Sequence, residues 1–171
     1  SLYEIIKNSA SIKKLFLSNK VQNIASKILS IPSERLSTSG STCGMYSNID
    51  MKNTFNWHQD CRYYEQNLKM NSGCVAIIPL LNSGAFNGNI QYVSNSHKIS
   101  VISHKKKNKK FSLMKKDFNL GNIKTFEINF GDILFFDLNI IHKSGINNSD
   151  KFRLNCETRF HSIVKGNYYL L

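Results

Sequence analysis

Apolar residues near the start of the chain recur every three or four positions, which is the spacing of one face of an α-helix. The pattern extends over residues 2–30 and is interrupted at Ser18-Asn19, a pair that favours a helix N-cap. Ile31-Pro32 ends it, because the residue before a proline avoids the α-helical conformation. The sequence therefore predicts two N-terminal helical segments, each with an apolar face that packs on the rest of the protein.

From about residue 40 the pattern changes to short runs rich in β-branched and aromatic residues, separated by Gly, Asn and Ser. The runs are TCGMYS (42–47), FNWHQD (55–60), CVAIIPLL (74–81), NIQYVS (89–94), IKTFEINF (123–130), DILFFDL (132–138) and RLNCETRFH (153–161). NSGAFNGN (82–89) and NFGD (129–132) are predicted turns. Many short strands separated by turns are typical of a β-sandwich or barrel. We therefore expect a mainly β fold with flanking helices.

Length and composition indicate a globular domain. The chain has 171 residues, of which 41% are hydrophobic and 20% charged, a balance that argues against a disordered or membrane-spanning chain. No apolar run approaches the roughly 18–20 residues of a transmembrane helix. We expect one domain over residues 1–171, with a helical segment at 1–32 and the β core at 40–165. The first residue is Ser rather than Met, which is consistent with a trimmed piece of a longer chain.

The four cysteines are isolated from one another in the sequence. They are Cys43, Cys61, Cys74 and Cys156, and no C-x-x-C pair or zinc-finger spacing is present. Scattered thiols of this kind are typical of proteins in the reducing cytoplasm, where we expect this protein to be located. We expect all four to be inert.

The stretch FNWHQD carries an imidazole and a carboxylate two positions apart. If the segment is a strand, His58 and Asp60 point to the same side, because side chains alternate between the faces of a strand. His142, after the apolar run ILFF, supplies a second imidazole. Two histidines and a carboxylate are the ligand set of non-haem Fe(II) oxygenases. Arg153 lies eleven residues after His142, and its guanidinium suits a dicarboxylate cosubstrate.

The motifs that surround these residues follow one another in a characteristic order. They are W-H-Q-D at 57–60, G-N-I-Q-Y-V-S-N-S-H-K at 88–98, G-D-I-L-F-F at 131–136 and H-K-S-G-I-N-N-S-D-K-F-R at 142–153. Together they resemble the phytanoyl-CoA dioxygenase family of Fe(II)- and 2-oxoglutarate-dependent oxygenases, over about residues 54–161. The resemblance implies a double-stranded β-helix, a cupin-like jelly roll with N-terminal helices packed on one sheet. It also implies a dioxygenase that uses Fe(II), 2-oxoglutarate and O₂, hydroxylates a small molecule, and releases succinate and CO₂.

The resemblance also assigns roles residue by residue. The residues that match the catalytic iron ligands are His58, Asp60 and His142. Arg153 matches the residue that pairs with the distal carboxylate of 2-oxoglutarate, and Ser144 matches a hydroxyl that bonds the same carboxylate. Related halogenases lack the carboxylate ligand, so the presence of Asp60 favours a halide-free oxidation.

Other residues near these motifs have more than one interpretation. The tract Arg62, Tyr63 and Tyr64 either lines the substrate entrance or covers the edge of the core. Arg159 shares a strand face with Arg153 if the strand is regular, and it contacts substrate or cosubstrate or forms an ion pair at the rim. As candidate substrate residues we name Arg62, Tyr64 and Arg159.

Two further residues are expected to have structural roles, and two histidines are left without a role. Trp57 should face away from the metal and into the core, because it precedes His58 in the predicted strand. The chain departs from the family at S-N-S-H (94–97), where P-G-S-H is usual, so we expect an altered turn and a structural His97. No role is assigned to His104 or His161.

Positive charge is concentrated in one segment. The net charge is +12, and seven lysines lie in HKKKNKKFSLMKK (104–116). Few aromatic residues interleave with them, which argues against single-strand nucleic-acid binding. The segment is either a solvated surface loop or a mobile excursion, with few apolar anchors, that favours an anionic substrate.

Other functions on the same fold are considered beside this one. The run R-L-N-C-E-T-R (153–159) is similar to the R-x-N-x-x-x-R run of nucleic-acid demethylases, but their arginine lies farther from the distal histidine. A non-catalytic metal-bearing module is disfavoured by the intact ligand set. A cupin-like enzyme that does not use 2-oxoglutarate is disfavoured by Arg153 and Ser144 together. We expect a small-molecule substrate and neither a nucleic-acid nor a membrane partner.

Overall fold

The computed structural model describes residues 8–46, 54–63, 73–108, 110–114 and 121–162, with the side chains of 39–46 left out. The described helices are α1 (Ala10–Phe16) and α2 (Asn19–Leu29). The strands are β1 (Leu36–Tyr46), β2 (Gly73–Pro79), β3 (Gln91–Val93), β4 (His104–Lys107), β5 (Lys110–Leu113), β6 (Ile123–Thr125), β7 (Leu134–Asp137), β8 (His142–Lys143) and β9 (Arg153–Ser162). Within the described ranges, 3₁₀ helices cover Ser33–Arg35, Asp60–Tyr63 and Ser96–Lys98.

The two helices begin and end at the residues that local chemistry favours. The hydroxyls of Ser9 and Ser18 accept hydrogen bonds from backbone N–H groups three residues further on, as side-chain N-caps do. Helix α2 closes at Ser30, whose φ of 52° is left-handed, and Pro32 follows. The predicted break at Ser18-Asn19 and the predicted stop at Ile31-Pro32 are both confirmed. The predicted helical residues 2–7 lie outside the described part of the chain.

Two antiparallel sheets form the body of the protein. One has the strand order β1-β9-β2-β7 and the other the order β6-β3-β8. The outer face of the four-stranded sheet packs on the helices through buried apolar residues, which include Phe16, Val21, Ala25, Ala76 and Phe160. Its inner face contributes Val75 and Ile77 to a second cluster that lies with Ile90, Ile128 and Phe136. This arrangement confirms the expected mainly β fold with N-terminal helices on one sheet.

Strand β9 has a different chemistry on each face. Its alternate residues Leu154, Cys156 and Phe160 belong to the apolar cluster beneath the helices. The intervening positions are polar or charged, namely Arg153, Asn155, Glu157, Arg159 and His161. Since successive side chains of a strand point to opposite faces, these polar side chains share the face turned toward the three-stranded sheet. The expected common face of Arg153 and Arg159 is therefore confirmed by the regular strand.

The predicted strand FNWHQD (55–60) is wrong in its local form. Only His58 makes a β-bridge there, and a 3₁₀ helix begins at Asp60. The chain turns because the fully buried Gln59 side chain donates to Asn139 O and accepts from Ile102 N, at 2.9 Å each. The Cys61 N–H then bonds Leu138 O at 3.0 Å. Tertiary hydrogen bonds of this kind cannot be deduced from alternation along one segment.

The expectation that the lysine-rich segment has few apolar anchors is also wrong. Strands β4 and β5 form an antiparallel hairpin in which Phe111 and Leu113 are buried. The Leu113 N–H bonds Trp57 O at 2.8 Å, so the hairpin packs directly on the segment that carries His58. The alternation of F-S-L at 111–113 is the two-residue period of a half-buried strand, and the surrounding lysines obscure it. Lys109, Lys115 and Lys116 lie outside the described residues.

Candidate metal centre

His58 lies directly opposite His142, the first residue of β8. Each donates its backbone N–H to the carbonyl of the other, at 2.9 and 3.0 Å, in an isolated antiparallel bridge. Opposite residues of such a pair project their side chains to the same face, and the two ring centroids are 4.2 Å apart. Asp60 joins them from the following turn, so that one possible ligand atom from each residue lies within 4.8 Å of the others. All three side chains are buried.

Backbone carbonyls define the tautomer of both imidazoles. His58 Nδ1 lies 2.7 Å from Asn56 O, and His142 Nδ1 lies 3.0 Å from Ile140 O. A carbonyl oxygen only accepts, so each Nδ1 carries a hydrogen, and in the neutral ring Nε2 then keeps its lone pair. An outer hydrogen bond of this type orients the imidazole of a metal-binding histidine. The two Nε2 lone pairs are therefore available to a cation.

Asp60 presents its two oxygens to different neighbours. Oδ2 accepts from Nε and Nη2 of Arg159, at 3.0 and 2.8 Å. Oδ1 lies 3.1 Å from His58 Nε2 and 3.6 Å from His142 Nε2, and it receives no hydrogen bond from the described residues. A buried carboxylate oxygen that faces two nitrogen lone pairs lacks a positive partner. A divalent metal ion at this point would satisfy all three atoms, so the residues present fit such an ion.

The protonation states agree with this fit. Burial raises the pKa of Asp60, but the ion pair with Arg159 and the neighbouring imidazoles outweigh it and hold the pKa below its ordinary value. Burial, and then the nearby His58, lower the pKa of His142 to about 4. At neutral pH Asp60 is therefore ionised and His142 is neutral. These are the forms in which both residues bind metals.

A third histidine, His104, holds the ligand segment from outside, although the sequence alone assigns it no role. Its Nε2 accepts from the Gln59 N–H at 3.0 Å, and its Nδ1 lies 2.6 Å from Ile102 O. Burial lowers the pKa of His104 to about 4, so it is neutral and able to accept this bond. His104 is the first residue of β4, and Gln59 lies between His58 and Asp60 in the sequence. Their hydrogen bond therefore connects the hairpin β4–β5 to the segment that carries two of the candidate metal ligands. Nothing in the local sequence signals a contact across 45 positions.

The two candidate residues for 2-oxoglutarate lie on β9 and just after β8. Arg153 begins β9 and is fully buried, and its Nη1 donates to the Asn155 side chain at 2.7 Å in the hydrogen-bonding orientation of that amide. The Ser144 hydroxyl accepts from the Phe55 N–H at 3.0 Å, which leaves the hydroxyl hydrogen to donate elsewhere. The Ser144 N–H in turn donates to Phe55 O. Ser144 is therefore part of the pairing that places the ligand segment.

The candidate substrate residues are placed differently from one another. Arg159 lies against Asp60, and its Nη1 also donates to Glu157 Oε1 at 3.0 Å. Arg62 is half-buried, with its guanidinium 5.8 Å from the Phe111 ring centre. Tyr64 lies outside the described residues. The assignment of these three residues to substrate stays a prediction.

Two aromatic residues, Tyr63 and Trp57, lie next to the site. Tyr63 presents a ring edge to His58 with centroids 6.0 Å apart, and its hydroxyl accepts from the Phe111 N–H. Trp57 packs against a small cluster formed by Val93, Leu113 and Ile141, as expected of a residue that faces away from His58.

The departure at S-N-S-H is accommodated in a turn. Asn95 has a φ of 64°, a left-handed conformation that asparagine tolerates better than most residues. The buried Ser96 hydroxyl donates to Val93 O at 2.7 Å and accepts from the Ile141 N–H at 2.8 Å. The turn therefore holds the residue that directly precedes His142, and His97 is half-buried within the turn.

A family model identifies the family of the chain. The model of the phytanoyl-CoA dioxygenase (PhyH) family matches residues 3–155. The chain belongs to this family. Comparison of this PhyH-family protein with curated proteins gave no match.

Solved structures share the fold at low sequence identity. EvdO2 from Micromonospora carbonacea var. aurantiaca superposes with a TM-score of 0.74 at 17% identity, covering 96% of this chain and 67% of that chain. AviO1 from Streptomyces viridochromogenes Tue57 gives 0.69 at 17% identity, covering 95% and 66%. The epimerase SnoN, in complex with Fe3+, alpha ketoglutarate and nogalamycin RO, gives 0.73 at 15% identity, covering 94% and 62%. The PhyH-family chain thus spans about two thirds or less of the length of these proteins. The superpositions confirm the expected jelly-roll fold.

No helix in the described part of the PhyH-family protein is long and apolar enough to cross a bilayer.

Proposed function

We propose that this PhyH-family protein is an Fe(II)- and 2-oxoglutarate-dependent oxygenase that acts on a small molecule. The observation that carries the proposal is the convergence of His58 Nε2, His142 Nε2 and Asp60 Oδ1 at one buried point. The intact ligand set and the family membership both support it. A solved EvdO2 structure in complex with 2-oxoglutarate has the same fold.

Under this proposal, each of the five candidate site residues has a defined task. His58, Asp60 and His142 hold the metal, and their carbonyl and arginine partners keep the ligand atoms oriented. Arg153 binds the distal carboxylate of 2-oxoglutarate through its guanidinium fork, and Ser144 donates its hydroxyl hydrogen to that carboxylate. When bound, Fe(II), 2-oxoglutarate and O₂ supply the oxidising chemistry, with succinate and CO₂ as co-products. Burial of the three ligands keeps bulk water away from them.

Hydroxylation is the outcome that we propose for the substrate. In the family resemblance, a carboxylate at the position of Asp60 separates hydroxylases from halogenases. SnoN is described as an epimerase and ThoJ as a monooxygenase, so the products of this chain decide the reaction type. Mass analysis of those products separates a gain of one oxygen atom from an unchanged mass.

Succinate formation tests the proposal directly. Purified protein with Fe(II), 2-oxoglutarate and O₂ should form succinate even without substrate, slowly, and faster with a substrate from a metabolite extract. Asp60→Ala should abolish it, because the metal loses its carboxylate ligand. His97→Ala removes a half-buried histidine outside the ligand set and should leave succinate formation intact. Equal rates in Asp60→Ala and wild type would contradict the proposed function.

A further inference from the structure

The contact between Arg159 and Asp60 bears on how the carboxylate binds a metal. Resting on the proposed function, we propose that Arg159 is a positioning residue that reserves Oδ2 of Asp60, so that Oδ1 alone reaches the metal. This task is separate from that of the three metal ligands, and it belongs to a residue of the four-stranded sheet.

The geometry of the contact is specific. Two donors of one guanidinium, Nε and Nη2, converge on the same oxygen at 3.0 and 2.8 Å. Charge-assisted hydrogen bonds of this kind are about twice as strong as neutral ones. The Asp60 side chain is 1% exposed and that of Arg159 18%, so solvent competes weakly for the bonds. Oδ1 is left facing the two imidazoles.

The guanidinium is itself held in place. Arg159 lies in the middle of the four-stranded sheet, where it pairs with Ser39 on β1 and Val75 on β2. Its third nitrogen, Nη1, donates to Glu157 Oε1 at 3.0 Å from the same face of β9. A backbone paired on both sides and a side chain bonded at each nitrogen leave Arg159 little freedom to follow a moving carboxylate. Asp60, at the start of a short 3₁₀ helix, is the partner that is held.

The consequence for the metal follows from the two ways in which a carboxylate coordinates. It can give a metal one oxygen or both. A two-histidine, one-carboxylate site works because it leaves positions open for other ligands. A second oxygen from Asp60 would occupy one of the positions that 2-oxoglutarate and O₂ need. Arg159 prevents this by binding Oδ2. This role explains why a positively charged arginine lies beside a cation site, where charge repulsion would otherwise disfavour it.

The alternative is that Arg159 contacts the cosubstrate or the substrate directly. The two roles differ before any 2-oxoglutarate is added. Replacement of a positioning residue changes the metal coordination even in protein that holds only the metal. Replacement of a residue that contacts cosubstrate or substrate leaves that metal-only state unchanged. Co(II) is a suitable probe, because its visible absorption depends on the number and arrangement of its ligands.

The experiment compares Arg159→Gln and Arg159→Lys with wild type and with Arg35→Gln, which removes an exposed arginine. Each protein is loaded with Co(II) without oxygen, its visible spectrum is recorded, and 2-oxoglutarate is titrated by calorimetry. We expect Arg159→Gln to change the metal-only spectrum and to weaken 2-oxoglutarate binding. The expected size is about 10–100-fold, the loss in metal affinity or activity that removal of an outer partner of a ligand typically causes. Arg159→Lys keeps the charge but not the fork, so both changes should be smaller there, and Arg35→Gln should match wild type.

An unchanged metal-only spectrum in Arg159→Gln would overturn the proposal, whatever happens to 2-oxoglutarate binding. If Arg159→Gln fails to fold, as a thermal unfolding scan would reveal, Arg159→Lys decides, and a spectrum identical to wild type overturns the proposal there too. Failure of the wild type to bind Co(II) would instead contradict the proposed function. The two failures are therefore distinguishable.

Discussion

Replacement of Arg153 by alanine isolates the proposed cosubstrate contact from the metal centre. Arg153 is 0% exposed, so its pairing with a carboxylate takes place out of bulk water. Truncation of one partner of a buried, hydrogen-bonded charge pair costs about 2–5 kcal/mol. At about 1.4 kcal/mol for each factor of ten, the dissociation constant of 2-oxoglutarate should rise about 30-fold to a few thousand-fold. Full burial of the arginine favours the upper half of this range.

Calorimetric titration of 2-oxoglutarate into Co(II)-loaded protein measures the effect. Co(II) affinity should be unchanged in Arg153→Ala, because the arginine is not a metal ligand. Arg153→Lys should recover only part of the affinity, since a point charge cannot reproduce the two-pronged contact. Arg35→Ala is the matched control, an exposed arginine whose loss should change neither constant. Equal 2-oxoglutarate affinities in Arg153→Ala and wild type would refute the reasoning.

Three further predictions concern the hairpin β4–β5. Phe111→Ala removes its buried anchor at a cost of about 3 kcal/mol, so amide exchange at Leu113 should quicken roughly 100-fold, whereas Ser112→Ala on the other face should leave it unchanged. The pKa of His104 is about 4 in the folded protein and about 6.5 in the unfolded chain. As the pH falls from 6.5 to 4, the unfolded chain therefore takes up a proton on His104 that the folded protein does not, and the free energy of unfolding should decrease. The loss is about 1–2 kcal/mol after discounting for the half-exposed ring, and urea unfolding of His104→Gln should show a correspondingly smaller pH dependence. Replacement of the lysines at 105–107 by Gln should lower kcat/KM for an anionic substrate at low salt, and an unchanged value would assign them to a solvated surface.

Much of the ligand set could be predicted because it rests on local order. His58 and Asp60 lie close in sequence, and His142 follows a strand whose apolar run is plain to see. Strand β9 shows its two faces through simple alternation, which is why the shared face of Arg153 and Arg159 could be expected. Helix α2 was likewise marked by its cap at Ser18.

The contacts that hold the ligands could not be predicted in the same way. Arg159 contacts Asp60, 99 positions away in the sequence, and His104 contacts Gln59, 45 positions away. The alternation of polar and apolar residues predicts which face of a strand a side chain occupies, but not which residue it contacts there. The turn at Asp60 also depends on hydrogen bonds that Gln59 and Cys61 donate to distant carbonyls, and these bonds override the extended conformation suggested by FNWHQD. The orientation of a site is therefore a tertiary property even where its ligands are visible in the sequence.

The central claim is that His58, Asp60 and His142 bind one Fe(II). Anaerobic equilibrium dialysis against Fe(II) measures the stoichiometry directly, with circular dichroism to confirm that each variant is folded. We expect one Fe(II) per chain in the wild type and in His97→Ala, and a loss of that site in His58→Ala, Asp60→Ala and His142→Ala. No bound Fe(II) in the wild type, or a full site in folded His142→Ala, would contradict the claim.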